Sequence, residues 1–190
     1  MRTLLQTALF CGLITLTGCG SLLATMDADT IEDPPDERTL GQMIEDESIE
    51  NKAVVNIHAA DEAFDDAHLV VVSYNGYVLL AGQVQREALK TRATEVVRDI
   101  SGVRRIYNEL EIAAPSSSMT RTSDTWITAK VKSWLLGSGD IEGSKVKVVT
   151  EDGVVYLMGL VTREEAERIS DTAAGLAGVQ RVVRLFELLD

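Results

Sequence analysis

Apolar and polar positions follow two alternating periods along this chain, and the same succession of periods is written twice. Helical spacing runs from Ser48 to Ala60 through Ile49, Ala53 and Ile57, and returns from Thr125 to Leu136 through Ile127, Val131 and Leu135. Ser48 and Asp124 stand where an N-cap would. Each stretch leads into two extended segments, Leu69 to Tyr74 with Tyr77 to Val84, then Val146 to Thr150 with Val154 to Val161. Asn75-Gly76 and Glu151-Asp152-Gly153 join them as hairpin turns. A second helix keeps its period through Leu89, Ala93, Val97 and Ile100, and in the later copy through Ala166, Ile169, Ala173 and Leu176 behind the capping box Thr162 to Glu165. Gly102 and Gly178 stop these helices, and Arg104 to Ile112 or Gln180 to Leu188 supplies a last strand.

The order is therefore α-β-β-α-β, twice. At an offset of 77, Asn75-Gly76 lies over Asp152-Gly153, Gly82 over Gly159, and Arg86-Glu87 over Arg163-Glu164. After a one-residue slip, Gly102-Val103 lies over Gly178-Val179 and Glu111 over Glu187. The fold class is α+β: two tandem domains, each with a small three-stranded mixed sheet covered by two helices on one face. About 65 residues is near the lower limit for independent folding, so a partner surface is expected. Two-residue alternation sends Val78, Leu80 and Val84, with Val155, Leu157 and Val161, toward the helices. The opposite faces are apolar too. Tyr77 and Leu79 in one copy, and Val154, Tyr156, Met158 and Leu160 in the other, are expected to pack the two domains on each other.

The N-terminus reads as an address. Arg2 precedes an apolar run from Leu4 to Leu16 that is shorter than the roughly 20 residues of a spanning helix. Leu16-Thr17-Gly18-Cys19 resembles the bacterial lipobox, which implies removal of residues 1–18 and acylation of Cys19. A plain secretory signal cut at a small residue is the other reading. Residues 19–46 hold eight acidic side chains against Arg38 and carry Pro34-Pro35, so they are expected to form an acidic tether. The domains then span 47–113 and 123–190, with 114–122 as linker. Net charge is −12, from 30 acidic and 18 basic residues, which argues against nucleic acid as a partner. With cysteine only at positions 11 and 19, no disulfide framework holds the body of the chain.

The strings Asp124-Thr125-Trp126-Ile127-Thr128, Val155 to Thr162 (VYLMGLVT) and Gly178-Val179-Gln180-Arg181-Val182, with Tyr74, Gly76, Val78-Leu79-Leu80 and Gly82 in the first copy, resemble the tandem BON-domain outer-membrane lipoproteins. Gly20 follows the cysteine where aspartate would retain a lipoprotein at the inner membrane, so the resemblance points to the periplasmic face of the outer membrane. It implies a protein that is not an enzyme and needs no cofactor. It also implies binding of anionic phospholipid through the second domain, support of outer-membrane integrity, and action at division sites. A scaffold recruiting an envelope protein, such as a peptidoglycan-hydrolase regulator or an assembly factor, is the alternative.

The residues give that implication a place. At 100° per residue, Ile127, Val131, Trp134 and Leu135 form the inward stripe of the second domain's first helix. Trp126 points roughly 125° away from it, with Lys130 one turn on, Ala129 and Leu136 outward, and Lys132 at the border. Exposed indole and leucine flanked by ammonium groups suit an interfacial lipid contact. Packing of Trp126 against the other domain is the competing reading. His58, Asp61, Glu62, Asp65, Asp66 and His68 lie close in sequence, but a solvated helix end and loop explains them more simply than a metal site.

Overall fold

The computed structural model describes residues 37–137 and 143–189; Cys19, the expected signal segment and most of the expected tether lie outside them. The first repeat comprises α1 (Leu40–Ala60), a 3-10 turn over Glu62–Phe64, β1 (His68–Tyr74), β2 (Tyr77–Val84), α2 (Glu87–Arg98), β3 (Arg105–Asn108) and β4 (Glu111–Ile112). The second comprises α3 (Ser118–Gly137), a 3-10 turn over Gly143–Lys145, β5 (Val146–Glu151), β6 (Val154–Val161), α4 (Arg163–Gly175), β7 (Arg181–Arg184) and β8 (Glu187–Leu188). In each sheet the second strand is central, antiparallel to the first and parallel to the last. Tyr77 faces Arg105 whereas Val154 faces Arg181, so the one-residue slip between copies falls in the helical crossover. The last strand is broken in two in both copies, because Leu110 and its counterpart Phe186 turn toward the helix-side cores.

The hairpins turn at Asn75-Gly76 and Asp152-Gly153 with positive φ at both residues of each pair, the type I′ geometry that suits strand twist. These turns also explain why the first helices begin earlier than their periodicity suggests. Asp46 is not the end of a tether but a buried residue of α1. Its carboxylate accepts from the amides of Gly76 at 2.9 Å and Asn75 at 2.8 Å, from Ser73 Oγ at 2.7 Å and from Arg38 at 2.8 Å. The helix opens instead at Thr39, which forms a capping box with Gln42. Likewise Asp124 is no N-cap. It is buried inside α3 and accepts from Gly153 N at 2.9 Å and Asp152 N at 3.0 Å, while the helix starts at Ser118 within the stretch read as linker. Burial alone would raise the Asp46 carboxyl, but the bonds from Gly76, Ser73, Arg38 and Asn75 outweigh it and hold it below the usual carboxylate range.

Val78, Leu80 and Val84 join Ile49, Ala53, Ile57, Leu89, Ala93 and Val97 in one core; Val155, Leu157 and Val161 join the helices of the second repeat in another. A third cluster lies between the sheets. Val72, Tyr74, Leu79 and Ala81 meet Val154, Tyr156, Met158, Leu160 and Leu185, with Tyr77 partly buried at the margin. The layers therefore run helices, sheet, sheet, helices. At about 1.5–3 kcal/mol for each large side chain buried, this middle layer is a major share of the stability of two small domains.

Polar contacts at the seam obey the repeat. Tyr74 Oη donates to the Lys145 carbonyl at 2.6 Å, and Glu151 takes His68 Nε2 at 3.2 Å. Adding 77 to Tyr74 and His68 gives Glu151 and Lys145, so the two contacts are one contact related by a pseudo-two-fold axis. Gln83 Nε2 donates to Glu151 at 3.1 Å. At the rim Arg104 grips Glu187 with both guanidinium nitrogens, at 2.6 and 2.9 Å, and Asn75 Nδ2 adds a bond of 2.7 Å. The Arg104 hydrogen bond, only partly opposed by burial, holds the Glu187 carboxyl low.

Candidate functional site

Helix α3 is held in rotation by its buried side. Ile127, Val131 and Leu135 enter the core, and the Asp124 bonds to the hairpin turn pin the first half of the helix against rolling. Trp134 is half-buried and packs on that core. With the rotation set, Trp126, Ala129, Lys130, Lys132 and Leu136 are all exposed. Trp126 keeps 69% of its surface and Leu136 73%, so the indole does not serve as a cover for the first domain. Met119, 84% exposed and seven residues before Trp126, extends the apolar ridge. Sequence reasoning missed it although its heptad spacing was readable.

The lysines differ in what they can do. Lys130 Nζ donates to the Ala177 carbonyl just after α4, which ties this ammonium to the domain while it remains exposed. Lys132 borders a recess of about 260 Å³ together with Leu136, Val146, Lys147, Tyr74 and Arg38. Arg38 is already committed: it bonds Asp46 and lies 3.7 Å above the Tyr74 ring. It still contributes positive charge to the recess wall. Burial chiefly raises the Tyr74 hydroxyl above its ordinary range, against the opposing pull of Arg38, so the phenol stays neutral and donates to Lys145. Arg121 turns back to the helix start, donating to Ser116 and Ser118, and is not part of this face.

An apolar ridge that ends in Leu136 at the rim of a basic recess can seat an acyl-glycerol region against Trp126 and Leu136 and a phosphate near Lys132 and Lys147. The acidic run near the first hairpin does not converge. His58 pairs with Asp65 at 3.1 Å while His68 turns to Glu151, and among the described residues no three such side chains stand together to hold a metal ion.

The BON domain matches this chain twice, over residues 46–114 and 123–190. The chain is 34% identical over 177 residues to the outer membrane lipoprotein DolP of Haemophilus influenzae, covering 93% of this chain and 92% of that one. It is 32% identical over 152 residues to a 21 kDa hemolysin of Actinobacillus pleuropneumoniae, covering 80% and 78%. Osmotically-inducible protein Y of Escherichia coli is 26% identical over 186 residues, covering 93% and 92%.

Proposed function

The chain belongs to the BON-domain family, in the company of an outer-membrane lipoprotein, and on that premise we propose that it is anchored through acyl chains on Cys19 and binds anionic phospholipid through the outward face of α3. In this reading it supports outer-membrane integrity, at division sites included, by organising lipid and not by catalysis. The observation that carries it is the exposed Trp126 on the same helix as the exposed Leu136, which borders the recess of Lys132 and Lys147.

The energetics suit a tethered molecule. Each basic side chain near an anionic surface contributes about 1 kcal/mol, so Lys132 and Lys147 add only a couple. An indole and a leucine entering the interface add apolar burial. Such weak contacts become sufficient when the acyl anchor already holds the domain at the bilayer and raises its effective concentration. The overall acidity of the chain restricts attachment to this one local face.

The test is sedimentation with liposomes, with and without anionic lipid, using the mature chain without its acyl anchor. Trp126→Glu should abolish binding and leave the melting temperature within the small range of an exposed substitution. Retained binding, or binding indifferent to headgroup charge, overturns the reading.

A further inference from the structure

Helix α1 is the counterpart of α3 in the first repeat, and its outer side is also apolar. Leu40, Met43, Ile44, Val54 and Val55 are exposed, Ile44 at 68% and Val55 at 66%. At 100° per residue they fall on one stripe opposite the buried Ile49 and Ala53. Two exposed apolar groups on one side of a helix, with Glu47 and Asn51 between them, offer an interaction surface. Its charge decides what can cover it. Asp46 is buried on Arg38 and Glu50 accepts from Ser73 N, which leaves Glu45 and Glu47 as the exposed acidic side chains of α1, with Lys52 as its exposed basic one. Glu47 lies within the stripe, between the two apolar groups, and is exposed with no ion-pair partner among the described residues. An anionic bilayer pressed on this face would meet that carboxylate with phosphate, so lipid is the wrong cover. The second domain comes up only to the start of α1, where Met43 borders a recess with Ser144 and Lys145; Ile44 and Val55 stay exposed, because the helices of the two repeats form opposite outer layers around the paired sheets.

We propose that α1 is a docking surface for a basic, apolar segment of a protein partner. Eleven residues of helix separate Ile44 from Val55, about 16 Å at 1.5 Å per residue. The segment that fits has two apolar anchors at that separation and a Lys or Arg between them to meet Glu47. The two aliphatic anchors supply the buried apolar area, and the charge pair between them sets register. The inference is independent of lipid binding by α3.

The experiment uses the full chain and a labelled helical peptide with leucines eleven residues apart and lysines between, compared with the same peptide carrying glutamates. The lysine peptide binds, more weakly as salt rises. Ile44→Ser, Val55→Ser and Glu47→Lys each weaken it roughly tenfold without moving the melting temperature, and Trp126→Glu leaves it unchanged. In cells, photocrosslinkers at positions 44 and 55 capture a basic, apolar protein segment, and Glu47→Lys abolishes the capture. Equal binding of the glutamate peptide, insensitivity to Glu47→Lys, or crosslinks to lipid or to a second copy of the chain would overturn the assignment.

Discussion

The two repeats share their interiors and differ on their outer helices. In both, a buried aspartate on the first helix grasps the hairpin turn, and in both the far face of the sheet is apolar and covered by the other copy. Outside, α1 is acidic with Ile44 and Val55 exposed, whereas α3 carries Lys130 and Lys132 with Trp126 and Leu136 exposed. The helix-facing positions of the central strands keep their residue types, Val78, Leu80 and Val84 against Val155, Leu157 and Val161, whereas the outward faces of the first helices differ in charge. One scaffold thus presents two surfaces of different chemistry on opposite sides. The internal match is also imperfect: Asp46 collects four hydrogen bonds and Asp124 the two turn amides, so the first anchor is the more heavily used.

The largest effect should come from the layer the repeats share. Leu79→Ala and Met158→Ala, one on each side, should each cost about 2–5 kcal/mol, and each should shift a single denaturant transition seen by probes in both domains. Two separate transitions, each sensitive only to its own domain's variant, would show that the copies are energetically independent. Next come the anchors. Asp46→Ala should cost about 3 kcal/mol and Asp124→Ala about 2, because buried turn amides lose their acceptor, more of them in the first repeat. Equal losses would mean that the additional bonds from Ser73 and Arg38 contribute nothing net.

The smallest effect is the pH signature of that asymmetry. The folded Asp46 carboxyl titrates below its unfolded value, so its contribution is present above about pH 4 and lost as pH falls through the folded value. Asp46→Asn should therefore flatten part of the acid limb of a stability curve measured by thermal melts. At the alkaline end burial, with Glu109 adding to it, pushes the Tyr156 hydroxyl up to about 12, so the shared layer weakens as pH rises from about 10 toward that value.

The duplication, the hairpins, the α4 capping box and the sorting of strand faces were legible because each is encoded within a few neighbouring residues. Helix starts were not. Asp124 before an apolar period has the local look of a cap, and only the approach of the Asp152-Gly153 turn shows that its carboxylate is used elsewhere. The ridge of α3 followed from its helical period, yet Met119 was missed with the early start of the helix. The recess beside it was not legible at all, since Arg38, Tyr74, Lys132 and Lys147 come from four separate places in the chain.

From sequence alone came the repeat, the αββαβ order, and an indole pointing away from the core of its own domain. These depend on periods of two and 3.6 residues and on turn chemistry, which need no knowledge of distant segments. Whether that indole stayed in solvent depended on which surfaces the two domains used against each other. Tertiary structure settled it by burying the two sheet faces in one layer, because stacking flat apolar faces removes more surface from water than capping one tryptophan. The helices were thereby left outside, with their opposite charges turned to opposite sides.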